Sequence, residues 1–108
     1  MLSSLERYIR KFKEIYGKEH LDYLLGLPIQ HIESEDYIFG IDVQFEGIKK
    51  KLFVWYAIGD GRKIDKHLYL LAKLLQCKEI EFITKRNPEA FTRKFGYKIK
   101  GYLLSKEV

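Results

Sequence analysis

The chain has 108 residues, of which 46% are hydrophobic and 15% aromatic, so it is long enough for one domain with a hydrophobic core and is not intrinsically disordered. The single cysteine, Cys77, excludes an intramolecular disulfide, and three dispersed histidines have no zinc-site spacing. The net charge is +5, and no apolar run is long enough to span a membrane. We therefore expect a soluble, cytoplasmic, basic protein that needs neither a metal nor a membrane.

The basic charge lies in the second half of the chain. Residues 1–54 hold 8 basic and 9 acidic side chains, whereas residues 55–108 hold 12 and 6. This asymmetry suits an anionic ligand or a nucleic acid, and it equally suits the solvated surface of a lysine-rich protein.

Residues 1–28 are predicted to form two helices. Ser3 and Glu6 have the spacing of a capping box, and apolar residues then recur every three or four positions until Gly17. A second, short helix is predicted over Lys18 to Leu25. The outer face of the first helix is basic, through Arg7, Arg10, Lys11 and Lys13. A docked helix with a solvated face explains this pattern best, and contact with nucleic acid or an anionic membrane is the alternative.

Residues 29–58 are predicted to form antiparallel strands. Ile29 to Ser34 is a short strand, and Asp36 to Glu46 alternates apolar and polar residues over its whole length. A turn then leads into Lys50–Ile58, so the last two segments form a hairpin. The segment Leu52–Ile58 is apolar on both faces, which is typical of a strand inside a sheet that is covered on both sides.

This strand region is acidic. Five carboxylates occur with no lysine or arginine between the first and the last, namely Glu33, Glu35, Asp36, Asp42 and Glu46. A solvated strand face explains them most simply. The alternative is a surface that attracts a cationic amine.

Residues 59–108 are predicted to contain a glycine turn, a helix, a strand, a second helix and a last strand. The turn is Gly59-Asp60-Gly61, the long helix runs from Arg62 to Gln76, and the strand is Ile80–Ile83. Together with Leu52–Ile58 these elements make a right-handed parallel crossover. The last two elements are a helix from Asn87 to Gly96 and a strand, Tyr97–Leu104, that pairs antiparallel and closes the sheet.

The glycine turn is a candidate anion site. Free backbone N–H groups at the start of a helix attract an anion, glycines permit close approach, and Arg62 and Lys63 add positive charge. The alternative is a tight turn that needs glycines only for their backbone angles. His67 and Cys77 are interpreted as packing residues rather than catalytic ones.

The segment Tyr56-Ala57-Ile58-Gly59-Asp60-Gly61 resembles the signature of the GNAT acyltransferases, in which Arg or Gln is followed by two residues and then Gly-x-Gly or Gly-x-Ala at the start of a long helix. The later order of Asn87, Ala90, Gly96 and Tyr97 is also similar to that family. The resemblance covers roughly residues 36–104. It implies a GNAT-like three-layer fold, a mixed α/β (α+β) architecture with about five to six strands between helices.

The resemblance implies an N-acyltransferase that uses acetyl-CoA or another acyl-CoA. The residues implied in cofactor binding are Ile58, Gly59, Asp60, Gly61, Arg62, Lys63 and Asn87. A backbone N–H near Ile58 would polarise the acyl carbonyl, and a small-molecule or protein amine would attack after losing a proton. Glu46 and Asp42 are the only candidate bases that can be named, and no motif assigns either of them.

Three residues depart from the family pattern. Tyr56 stands where Arg or Gln belongs, Asp60 places a carboxylate where a pyrophosphate would bind, and Thr92 replaces a Tyr that is proposed to protonate the leaving thiolate. The alternative is therefore a catalytically inactive GNAT-fold module that binds a protein partner. Compact GNAT-like proteins of this kind resemble some phage-encoded proteins, including virion components. The second alternative is a small nucleic-acid-binding protein, because basic and aromatic residues interleave between positions 85 and 102.

Overall fold

A computed structural model of the protein describes residues 3–83, 98–100 and 103–108. The helices in this part of the chain are α1 (Ser4–Tyr16), α2 (Lys18–Leu25) and α3 (Gly61–Leu74). The strands are β1 (Gln30–Glu33), β2 (Tyr37–Glu46), β3 (Lys49–Gly59), β4 (Glu79–Ile83), β5 (Lys98–Lys100) and β6 (Leu103–Glu107).

The strands form one mixed sheet in the order β1-β2-β3-β4-β6-β5. β3 and β4 are parallel and joined through α3, whereas the other neighbouring pairs are antiparallel. One core cluster lies between the sheet and α3, and a second lies between the sheet and the pair α1 and α2. The predicted α/β architecture, with a six-stranded sheet and helices on both faces, is confirmed.

The first helix begins as its sequence indicates. The Ser3 hydroxyl accepts a hydrogen bond from the Glu6 N–H at 3.1 Å, and the Glu6 carboxylate accepts one from the Ser3 N–H at 3.2 Å. This reciprocal pair satisfies backbone donors that a helix start otherwise leaves unpaired. Leu5 is buried on the inner face of α1, which packs on the second core cluster.

A β-bulge interrupts β3 at Trp55. Val54 lies opposite Ile41 and Tyr56 lies opposite Gly40, so Trp55 is an extra residue with no counterpart on β2. A Cβ added to Gly40 would lie 2.6 Å from the Ile29 side chain and closer still to the Tyr56 ring. Glycine at this position therefore makes room for the ring on the strand that contains the bulge.

The bulge changes the face of the sheet that each half of β3 covers. Leu52 and Val54, before the bulge, pack beneath α3. Tyr56 and Ile58, after it, pack beneath α1 and α2. Strict alternation would have placed all four side chains on one face. The prediction that this strand is covered on both sides is correct for Leu52–Val54, whereas Trp55 and Ala57 are exposed and the bulge adds a change of face.

The end of the chain differs from the sequence prediction. Tyr97–Leu104 was expected as one strand, but Lys98–Lys100 and Leu103–Glu107 are two antiparallel strands. The longer strand lies beside β4, with Leu104 opposite Phe82, and the shorter strand lies outside it. The predicted helix from Asn87 to Gly96 lies outside the described residues.

Candidate functional site

Asp60 occupies the start of α3. Its carboxylate accepts hydrogen bonds from the N–H groups of Arg62 at 3.1 Å and Lys63 at 3.2 Å. These are donors that an anion at the helix start would otherwise use. The chain thus supplies its own negative charge at the position where the sequence predicts a pyrophosphate.

Gly59 brings the turn against the beginning of β2. Its φ angle is +129°, and a Cβ would lie 2.6 Å from the Tyr37 Cα and closer still to the Asp36 carbonyl oxygen. The next residue, Asp60, donates its N–H to that carbonyl at 3.0 Å. Both the backbone angle and the close approach require glycine here.

Lys63 is paired across the turn. Its Nζ donates a hydrogen bond to the Asp36 carboxylate at 2.6 Å. This hydrogen bond lowers the pKa of Asp36 and raises the pKa of Lys63. Arg62 is exposed and makes no ion pair within the described residues, so its charge remains available at the turn.

The parallel strands β3 and β4 part close to this turn. Their pairing begins at Lys51 with Glu79 and ends at Val54 with Phe82, although β3 continues to Gly59. From Trp55 onward, the edge of β3 that faces β4 has no strand partner among the described residues. Ligands of open α/β sheets bind at this kind of opening beyond the carboxyl ends of strands.

The register shows which backbone groups face the opening. The Tyr37 carbonyl accepts from the Ser34 N–H at 2.8 Å, so the Tyr37 backbone groups point toward β1. Gly59 lies opposite Tyr37 and points its own groups away from β2. The N–H groups of Ala57 and Gly59 therefore face the β4 side, and that of Ile58 faces β2.

Tyr56, which stands in the family's Arg or Gln position, is directed away from the turn. It is buried and donates its O–H to His31 Nδ1 at 2.6 Å. His31 Nε2 lies 2.9 Å from the Leu27 carbonyl oxygen, which can only accept, so Nε2 carries the imidazole proton. Burial, with a smaller effect from the Glu33 charge, raises the pKa of Tyr56 to about 12.

Tyr56 is expected to make stability fall with pH in the alkaline range. The unfolded phenol has a pKa near 10.0 and the folded one about 12, so between these values the unfolded chain loses a proton that the folded chain keeps. The free energy of unfolding should then fall by up to about 1.4 kcal/mol per pH unit. Urea denaturation of wild type and Tyr56→Phe from pH 9 to about 12 checks this.

The matched control is Tyr23→Phe, which removes a phenol that is 63% exposed. It should retain the wild-type slope of stability against pH, whereas Tyr56→Phe should have a shallower one. Equal slopes for wild type and Tyr56→Phe would contradict the assignment.

A shallow groove of about 460 Å³ lies between α3 and the turn that precedes β2. In it, His67 Nδ1 and the Tyr37 hydroxyl form a hydrogen bond of 2.6 Å, and the His67 ring meets the Phe39 ring edge-on at 5.2 Å. His67 was interpreted as a packing residue, and it is half-buried. The hydrogen bond between His67 and Tyr37 cannot be predicted from the sequence, because no local pattern relates residues 30 positions apart on a strand and a helix.

The two candidate bases lie away from the turn. Tyr37, at the start of β2, is opposite Gly59, whereas Glu46, at its end, is opposite Lys49. At about 3.3 Å per residue, Asp42 and Glu46 are roughly 17 and 30 Å along the strand from Tyr37. The structure does not bring either carboxylate to the glycine turn.

Another carboxylate, Glu81, lies beside the point where β3 and β4 part. It is 8% exposed, pairs with Phe53 in the sheet register, and accepts a hydrogen bond from Lys51 Nζ at 3.0 Å. In the sequence, Glu81 is recognisable only as part of a strand. Its place beside the point where β3 and β4 part depends on the register of the two strands.

Several other predicted features can be located. Cys77 is buried beneath α3, and burial raises the pKa of its thiol. Asn87 lies outside the described residues, as does most of the basic and aromatic segment between positions 85 and 102. Among the described residues, no helix is long and apolar enough to cross a membrane, and no group of three His, Cys, Asp or Glu side chains could hold a metal ion.

The fold is similar to that of a solved acetyltransferase. A crystal structure of a GNAT-family acetyltransferase from Listeria monocytogenes matches with a TM-score of 0.58 at 14% identity, covering 97% of this chain and 86% of that chain. No protein-family model matches the chain, and no curated protein matches it in sequence. The protein therefore has a GNAT-like fold, and its activity must be argued from the site.

Proposed function

We propose that this protein binds an acyl-CoA at the opening between β3 and β4 and transfers the acyl group to an amine. The observation that carries the proposal is the parting of β3 and β4 five residues before Gly59, on the strand that leads into the glycine turn at the start of α3. The GNAT-like fold supports it, because the similar solved protein is described as an acetyltransferase. The acyl-CoA would supply the activated thioester.

The chain offers a donor for the acyl end of such a ligand. The N–H group of Ala57 faces the opening, where it would polarise an acyl carbonyl oxygen. The attacking amine would lose its proton to a water molecule at the opening. The acceptor would be a small-molecule or protein amine.

Some donors at the phosphate end are already occupied. Gly61, Arg62, Lys63 and the turn around Gly59 would hold the pyrophosphate, together with Asn87. Asp60 competes with the ligand, because its carboxylate already accepts from two N–H groups of α3. Binding would therefore require the Asp60 side chain to turn away.

Asp60→Asn is expected to strengthen CoA binding by about tenfold, because it removes one negative charge from the helix start that would hold the phosphates. Asparagine still caps a helix, so the stability of α3 should change little. Isothermal titration of both proteins with CoA measures the effect. The control is Asp65→Asn on the same helix, where Asp65 lies 3.3 Å from Lys106, and its affinity should stay within about twofold of wild type. Unchanged or weaker CoA binding by Asp60→Asn would contradict competition between the Asp60 carboxylate and the CoA phosphates.

A second function is favoured by the same Asp60 cap. With its α3 donors satisfied internally and Lys63 paired to Asp36, the turn is complete without a ligand. This is the arrangement expected of a GNAT-fold module that acts through a protein partner and performs no acyl transfer.

Calorimetric titration with acetyl-CoA and free CoA distinguishes the two functions. Micromolar binding that is lost when Gly61 is replaced by a bulky residue would support the acyltransferase. No heat at millimolar ligand, for wild type and Asp60→Asn alike, would overturn the acyltransferase and favour the inactive module.

A further inference from the structure

We propose that the outer edge of β2 from Asp42 to Glu46 binds an extended segment of a partner protein by strand addition, and that this segment alternates apolar and basic residues. The surface lies toward the opposite end of β2 from the glycine turn. It therefore operates whether or not the protein binds an acyl-CoA.

The edge is open because β1 is shorter than β2. β1 pairs with β2 only from Ile38 to Ile41, and β2 continues to Glu46. Since the Tyr37 carbonyl points toward β1, every second residue after it does the same, including Val43 and Phe45. Their N–H and C=O groups have no strand partner among the described residues, and such groups are a template for another strand.

Exposed apolar side chains lie near this edge on the α3 side of the sheet. Lys50, which lies opposite Phe45, donates a hydrogen bond to the Leu75 carbonyl at 2.6 Å, so the end of α3 lies near this end of β2. Leu74, at the end of α3, is 80% exposed, and Phe45, on the same face of β2 as Phe39, is 68% exposed. A strand added here would cover these side chains with every second residue of its own.

The other face of the same edge is acidic. Asp42, Gln44 and Glu46 alternate with the apolar residues along β2. Asp42 is exposed and has no ion pair among the described residues, and Glu46 is exposed and paired with Lys51. The remaining residues of an added strand would therefore be lysine or arginine.

This charge pattern disfavours a second copy of the chain as the occupant. In the antiparallel register with the longest pairing, Asp42 of one copy would lie opposite Glu46 of the other, and both ends of the contact would repeat this clash. A strand with basic residues at those positions pairs favourably instead. Main-chain hydrogen bonds then supply affinity, and the side chains on the two faces supply specificity.

The test uses a fluorescein-labelled peptide in which lysine and valine alternate, and a second peptide in which proline replaces each valine. Anisotropy should show micromolar binding of the first peptide only. Leu74→Ser and Asp42→Lys should each weaken it by about tenfold. The matched controls, Ile15→Ser on the exposed face of α1 and Asp22→Lys on α2, should leave binding unchanged.

Amide hydrogen exchange measured by NMR identifies the edge itself. Saturating valine peptide should slow exchange at Val43 and Phe45 and leave Gln44, whose N–H faces β3, unchanged. Equal binding of the proline peptide, or binding without protection at Val43 and Phe45, would overturn strand addition. If exchange at Val43 and Phe45 slows as the protein concentration rises without peptide, the edge binds a second copy of the chain, and the proposal of a partner protein is overturned.

Discussion

Gly59→Ala is expected to lower the free energy of unfolding by about 4 kcal/mol. Alanine disfavours the φ angle of +129°, and its methyl group would meet the Asp36 carbonyl oxygen and lie 2.7 Å from the Tyr37 Cβ. Those atoms belong to the beginning of β2, so relief of the clash would break the pairing of β2 with β3. Urea denaturation followed by far-UV circular dichroism measures the loss.

Gly47→Ala separates the close approach from the backbone angle. Gly47 also has a positive φ, +63°, but no atom lies within 4 Å of an added Cβ. Only the cost of the left-handed conformation remains, about 1 kcal/mol. Equal losses of unfolding free energy in the two variants would show that the clash of the added methyl group with Asp36 and Tyr37 has no cost.

The requirement for Gly59 bears on the proposed acyl-CoA site. Because this glycine is needed for the fold alone, loss of function in a Gly59 variant would not identify a ligand. Asp60 and Arg62, whose side chains lie at the surface of the turn, are the informative positions for binding experiments.

Phe39→Ala is expected to destabilise the protein by about 4 kcal/mol through the cavity it leaves. Phe39 is completely buried at the centre of the cluster beneath α3. Its ring stacks on Tyr37 at 5.7 Å and meets His67 edge-on at 5.2 Å, so its loss also loosens α3 over β2. The same denaturation experiment measures the effect.

Phe45→Ala is the matched control on the same strand and the same face. Phe45 is 68% exposed, so its truncation should cost less than about 0.5 kcal/mol. A cost similar to that of Phe39→Ala would mean that the end of β2 is buried, and the open edge proposed for strand addition would then be absent.

The sequence by itself determined the elements whose signals are local. The capping box of Ser3 and Glu6, the alternation along Tyr37–Glu46 and the crossover through α3 all depend on residues a few positions apart, and each is present in the structure. Their order also determined the parallel pairing of β3 with β4, because a strand, a helix and a strand in succession have essentially one right-handed way to join a sheet. The GNAT-like architecture as a whole was implied by the resemblance to the family's motifs.

Only the tertiary structure decided how these elements complete one another. The bulge at Trp55 depends on Gly40 across the sheet, and the hydrogen bonds of Tyr56 with His31 and of Tyr37 with His67 join residues 25 and 30 positions apart. The reversal before Leu103 depends on which strand lies beside β4. The Asp60 cap is local, since its carboxylate accepts from N–H groups two and three residues later. The long-range pairs were decided by the tertiary structure alone, because three-dimensional packing sets them and no periodicity along the chain records them.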